Sequence, residues 1–176
     1  GIPYQTEESL IRSIDFCDSL GVQHISSYML KIEEGTPLSK SELRFLCADE
    51  EKVSDLYLLS CEELEKRGFE QYEISNIEKN GKRSFHNTRY WLDDEYIGIG
   101  PSAHSFMEGR RFYFDRSIKD FLEKPFSENE KEESSGGGWE EYAMLRLRLT
   151  DGLDVSELAE KFPEVSAEDI IENAKH

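Results

Sequence analysis

A chain of 176 residues with 37% hydrophobic content can furnish the core of one domain, or of one domain and part of another. Its 38 Asp and Glu against 21 Lys and Arg leave a net charge of −17, which repels phosphate backbones and anionic lipid and argues against nucleic-acid and membrane-surface roles. No apolar run approaches the roughly 20 residues that span a bilayer, and no charged stretch followed by an apolar one opens the chain, so the reading is of a cytoplasmic protein.

Gly-Ile-Pro at the start reads as the end of a strand whose body precedes it. Thr6 is placed to cap a helix with Glu7 and Glu8 in its first turn, and Leu10, Ile14 and Cys17 follow at helical spacing before Gly21 closes it. HISSYML, residues 24–30, reads as a buried strand. Gly35-Thr36-Pro37 then breaks regular structure. From Asp49 to Arg67 a second amphipathic helix carries Val53, Leu56, Ser60 and Leu64 on one face, with Gly68 as its stop. The next strand is expected over 69–75. This alternation predicts βαβ units around a parallel sheet, whose ligands sit at the carboxyl ends of the strands. Residues 31–36, the stretch from Asn76 onward and residues 98–105 occupy those positions.

Asn80-Gly81 marks a tight turn, and a second turn at 107–110 is expected to join YIGIG to RFYFD as a hairpin. Ser117 caps a short helix that stops by Pro125. SENEKEESSGGG, residues 127–138, is polar, charged and glycine-rich, and reads as a flexible linker between a first domain over 1–126 and helices over 139–176. In that last segment Asp154 with Glu157, and Ser166 with Asp169, have the spacing of helix caps.

Four features bear on chemistry. In GIGPSAHS, residues 98–105, two glycines allow close backbone approach to a ligand and His104 is a possible contact, although a glycine turn between strands with a hydrogen-bonded histidine is the plainer reading. Glu33 and Glu34 follow a strand end, where a carboxylate can bind a hydroxyl or cation, yet a solvated loop is the plainer reading. Glu73 in YEISN marks a site if it points inward, because a buried carboxylate must be paired. FHNTRYW, residues 85–91, sets His86, a candidate metal ligand, beside Tyr90 and Trp91, flat faces on which a macrocycle can stack; the plainer reading makes those aromatics core. Cys17, Cys47 and Cys61 are too far apart to form a zinc knuckle or an iron–sulfur loop, and read as reduced structural thiols.

Taken in order, GIPYQT, HISSYMLKIEEGTPL, YEISN, HNTRYW, YIGIGPSAHSF and MLRLRLTDGLD resemble the HemW group of radical S-adenosylmethionine proteins, related to oxygen-independent coproporphyrinogen III oxidase. The resemblance covers about residues 1–153. It implies an α/β fold, the second half of a partial (βα) barrel followed by a small, mainly helical segment. The cofactors it implies for the intact protein are S-adenosylmethionine and a [4Fe-4S] cluster on a CxxxCxxC loop, with heme as ligand and a heme-acceptor protein as partner.

By the same resemblance, Met29 and His104 line the adenosylmethionine pocket, and His86, with Asn87, Tyr90 and Trp91, binds heme. No set of cysteines here matches the cluster loop, so this chain alone is expected not to cleave adenosylmethionine. A heme-binding chaperone is the function the resemblance implies, with coproporphyrinogen III dehydrogenation and a ligand-free acidic scaffold as alternatives. Tyr4 and Arg146 depart from the family, which has glycine at both places.

Overall fold

The computed structural model describes residues 1–173, apart from the side chains of Phe126, Asp169 and Asn173. It divides into two compact units, residues 1–84 and 85–176, which are taken in turn.

In the first unit, helix α1 (Glu7–Ser19) opens on a reciprocal cap. Thr6 Oγ1 accepts from the Ser9 amide at 3.2 Å and Ser9 Oγ from the Thr6 amide at 2.9 Å. Helix α2 (Glu50–Glu65) is capped by Asp49 and buries Leu56, Ser60 and Leu64 along one stripe. Ile14, Leu64, Phe69 and Ile77 form the core, with Leu10, Val22 and Ile25 against it. Each such side chain contributes about 1.5–3 kcal/mol on leaving water.

Three short strands, β1 (His24–Ser26), β2 (Glu70–Gln71) and β3 (Asn76–Glu78), lie in the order β1-β3-β2, and both pairings are antiparallel. This corrects the expected parallel neighbours. Residues 72–75, expected as strand, instead turn back, with the amides of Tyr72 and Glu73 both donating to the Asn76 carbonyl at 3.2 and 3.4 Å. So short a connection forces β3 antiparallel to β2. Since β1 and β2 both oppose β3, they run in the same direction, and the βαβ sense survives between strands that do not touch. The predicted strand 24–30 also shortens. Opposite Ser26 stands Asn76, where β3 begins, so past Ser27 the strand loses its partner and Tyr28 and Met29 are 69% and 50% exposed.

The second unit begins with helix α3 (Phe85–Trp91). Strands β4 (His104–Met107) and β5 (Arg110–Phe114) form the hairpin, closed by Glu108 and Gly109 at φ 50° and 72°, the left-handed pair that a two-residue turn demands. So tight a turn sets Met107 opposite Arg110 and makes HSFM the partner of RFYFD. YIGIG, the expected partner, lies instead beside β4, where Tyr96 exchanges backbone bonds of 2.9 Å with Phe106.

Helices α4 (Ile118–Glu123), capped by Ser117, and α5 (Phe126–Asn129) lead into strand β6 (Glu130–Ser135), which pairs antiparallel with β5. Half of the stretch expected to be a flexible linker, residues 130–135, is therefore the third strand of a sheet. Its glycines serve packing: a Cβ on Gly136 would lie 2.9 Å from the Phe106 ring, and Gly137, at φ 77°, would bring one to 3.0 Å from the same ring. Helices α6 (Trp139–Arg146), α7 (Val155–Lys161) and α8 (Ala167–Asn173) complete the unit, α6 packing on α3 and α7. Tyr142, Leu149 and Leu158 are buried there, and Tyr142 Oη donates to Glu157 Oε1 at 2.9 Å. Among the described residues no helix is long and apolar enough to cross a membrane.

Candidate functional site

Helix α3 contains the whole of FHNTRYW. Helical spacing brings His86 and Tyr90 onto one exposed face, where the Tyr90 hydroxyl lies 2.8 Å from His86 Nε2. The rings meet edge to face, centroids 5.0 Å apart, and Tyr90 meets Tyr96 in the same way at 4.6 Å. His86 thus ends an aromatic ladder anchored in the sheet by Tyr96. Asn87 and Trp91 lie half-buried on the same helix. The guanidinium of Arg148 covers one face of Trp91, 4.2 Å from a ring centroid, while the indole N–H is buried with no acceptor among the described residues. One face of Trp91 is therefore closed to a stacking ligand.

His104, in the same unit, stands at the start of β4. Its Nδ1 is 3.0 Å from Glu133 Oε2 on β6, and its ring stacks on Tyr113 of β5 with centroids 5.2 Å apart and planes 23° from parallel. Glu133 and Tyr113 escaped the sequence reading. Only the hairpin register places Tyr113 opposite His104, and a strand in the acidic stretch is the signal that brings Glu133 to it. Just before β4, a Cβ on Gly98 would collide with the His104 carbonyl, so this glycine admits the chain's own backbone rather than a ligand. Gly100, at φ 115°, has open space around it.

Below the helix, Asp93 is buried at φ 56°, 3.4 Å from Arg111 and 3.8 Å from Lys161; Arg111 in turn is 2.8 Å from Glu141. Burial holds the Asp93 carboxyl above the usual carboxylate range, Lys161 pulling the other way. This buried knot joins α6 and α7 to the sheet, and sequence spacing gave no sign of it.

Met29 belongs to the first unit. It lines a cleft of 110 Å³ with Ser27, Tyr28, Leu56, Tyr57 and Ser60, well below the roughly 300–1,000 Å³ of a site that encloses a small molecule. Glu73 does point inward and is 1% exposed: its carboxylate accepts from the Ser75 amide at 2.9 Å and from the Asn76 amide group. Asn76 Oδ1 accepts from Ser26 at 2.6 Å, so this network ties the turn between β2 and β3 to β1. Beside it, His24 Nε2 meets the Tyr72 hydroxyl at 2.8 Å, and burial lowers the imidazole pKa against the pull of Glu78 and Glu73. Glu33 sits in the exposed loop expected of it, 3.0 Å from Lys31.

Cys17, Cys47 and Cys61 are separate half-buried thiols, and among the described residues no three His, Cys, Asp or Glu are grouped to hold a metal ion. The thiols present do not fit an iron–sulfur cluster.

No family model matches the chain. It is 33% identical over 171 residues to the protein named Heme chaperone HemW from Bacillus subtilis, a match that covers 92% of this chain and 45% of that protein. It is 42% identical over 83 residues to the mitochondrial radical S-adenosyl methionine domain-containing protein 1 of Danio rerio, covering 46% of this chain and 19% of that one. Among solved structures, coproporphyrinogen III oxidase (HemN) of Escherichia coli, described as a radical SAM enzyme, superimposes with a TM-score of 0.69 at 15% identity over 99% of this chain and 44% of that chain. That likeness is one of fold, shared by these mixed α/β units. The chain thus belongs with the HemW-type radical S-adenosylmethionine proteins, and spans somewhat under half the length of the relatives that it matches along most of its own sequence.

Proposed function

We propose that this chain is part of a heme-binding protein of the radical S-adenosylmethionine type, and that His86 is an axial ligand to the heme iron. Asn87, Tyr90 and Trp91 are its companions: Tyr90 braces the imidazole in the unliganded chain, and Trp91 packs under the Arg148 guanidinium. The observation that carries this reading is the exposed face of α3, where an imidazole stands at the end of a braced aromatic ladder. The name of the Bacillus subtilis relative points the same way.

Met29 and His104 belong, on this proposal, to the surroundings of adenosylmethionine in the whole protein, with the cleft at Met29 as one wall. No step is assigned to an iron–sulfur cluster, because the cysteines of this chain do not fit one. A heme acceptor remains the proposed partner. With a net charge of −17, any acceptor that docks by electrostatic attraction presents a basic surface.

A hemin titration of the wild type against His86→Ala, followed at the Soret band, tests the assignment. The expected result is a loss of most of the Soret shift in the variant with an unaltered far-ultraviolet circular dichroism spectrum. An identical titration removes His86 from heme binding.

A further inference from the structure

We infer that Arg111 is a positioning residue for His86: through the Tyr96 phenol it sets how firmly Tyr90 covers the imidazole. The inference deepens the heme reading above and rests on it for the effect on binding, while the contacts that it invokes exist without a ligand.

The Arg111 side chain, on β5, is 19% exposed and is held from several sides. Its Nε donates to Glu141 Oε1 at 2.8 Å, its Nη2 lies 3.4 Å from Asp93 Oδ1, and its guanidinium carbon stands 4.3 Å from the centroid of the Phe106 ring. Glu141 is fixed in turn, because its other oxygen accepts from the Gly137 amide at 2.9 Å. These two carboxylates and Phe106 leave the planar guanidinium little freedom to turn. Nη1 points out of the cluster, and donates to the Tyr96 hydroxyl at 3.4 Å.

Tyr96 is thereby pinned at both ends. Its backbone exchanges two bonds with Phe106, and its phenol, which burial holds above its ordinary pKa and so uncharged, accepts from Arg111. Against this ring Tyr90 packs edge to face at 4.6 Å, with its own hydroxyl on His86 Nε2. To uncover that nitrogen, the Tyr90 side chain must rotate, and so leave Tyr96 as well as His86. The ring contact resists this rotation only as far as Tyr96 keeps its place. Arg111 therefore acts on His86 through two rings.

Two measurements on the full chain test this, one of them without heme. The variants are Tyr96→Phe, which deletes a single oxygen, Arg111→Met, the two together, and Lys161→Met, which takes a different cation, 3.8 Å from Asp93, out of the same cluster. In the ligand-free protein the magnetic resonance signals of the His86 ring report the Tyr90 ring beside it. They are expected to move toward those of an unconstrained histidine in Tyr96→Phe and in Arg111→Met, to move no further in the double variant, and to stay in place in Lys161→Met even where its denaturation midpoint falls. An Arg111 that only stabilises the fold would leave the His86 signals unmoved in every variant, and that result overturns the inference; Tyr96→Phe decides the point alone if Arg111→Met does not fold. In hemin titrations, Tyr96→Phe and Arg111→Met are expected to tighten binding about two- to threefold, and to change nothing once Tyr90→Phe has removed the cover. Unchanged or weaker binding in both, beside a normal Soret shift in the wild type, overturns the inference and leaves the heme reading standing. A wild type without a Soret shift overturns the heme reading, and the resonance signals alone then decide whether Arg111 positions His86.

Discussion

The Tyr90 hydroxyl lies 2.8 Å from His86 Nε2, one helical turn away, and therefore occupies one of the two imidazole nitrogens that can bind iron. A ligand at this nitrogen must displace the phenol. A hydrogen bond of this kind is worth about 0.5–1.5 kcal/mol net, so Tyr90→Phe is expected to tighten hemin binding at His86 by about three- to tenfold. A Soret titration of both chains measures it. Weaker binding in Tyr90→Phe would show that the phenol assists the ligand instead of competing with it.

Asp93 predicts an unusual pH response. Its folded pKa is raised by burial, so between its ordinary value and the raised one the native state holds more proton than the unfolded chain. Stability contributed by this group is accordingly present below the ordinary carboxylate pKa, about 4, and is lost as pH rises. An asparagine in its place would carry no such penalty and suits the left-handed backbone at φ 56°. Arg111 keeps Glu141 at 2.8 Å in any case. The substitution Asp93→Asn is therefore expected to stabilise the second unit by up to about 1 kcal/mol at neutral pH, with the gain vanishing near pH 4. Urea denaturation across that range measures the difference; a strongly destabilised variant at pH 7 would mean that the ion pairs outweigh burial.

The first unit is expected to answer in the opposite sense. Burial lowers the His24 pKa, so the unfolded chain takes up a proton first and stability falls as pH drops through the ordinary histidine range, about 6.5. Replacing His24 by Gln should flatten that slope between neutral and mildly acid solution. Hydrogen exchange at the amides of β1 and β3 reports it, and an unchanged slope would assign the acid sensitivity elsewhere.

Two glycines of one motif separate crowding from backbone strain. At Gly98 a methyl group meets the His104 carbonyl, whereas at Gly100 there is open space and only an unfavourable φ of 115°. Gly98→Ala is expected to cost about 2–3 kcal/mol and Gly100→Ala about 1–2 kcal/mol. Thermal denaturation of both variants gives the order, and equal costs would contradict the crowding at Gly98.

Much of this molecule is legible in the sequence where a local signal suffices. Thr6, Ser117 and Asp154 all cap the helices that they announce, because a cap is read within four residues. Strand pairing is not local. Nothing in YEISN states that Tyr72 and Glu73 will turn back on the Asn76 carbonyl, and that turn decides the direction of β3. The acidic stretch misleads for a related reason: residues 130–135 bury almost nothing and are ordered by backbone bonds to β5, which leave no hydrophobic trace. Of the candidate site, the histidines and aromatics of FHNTRYW are visible as residue types, while the carboxylate behind His104 requires the fold. Tyr4 shows the reverse case. The resemblance sets a glycine at its place, and its φ of 61° is the left-handed backbone that glycine adopts most readily.

Strand β6 gives the sheet of the second unit an outer edge built from Glu130, Lys131, Glu132 and Glu133. An unpaired edge is a template for any extended chain, and here mutual repulsion between copies guards it. That protection is removable, because protonating the glutamates or screening them with salt abolishes the repulsion without disturbing a single backbone bond. Acid or high ionic strength is then expected to favour edge-to-edge association of otherwise native molecules through this strand.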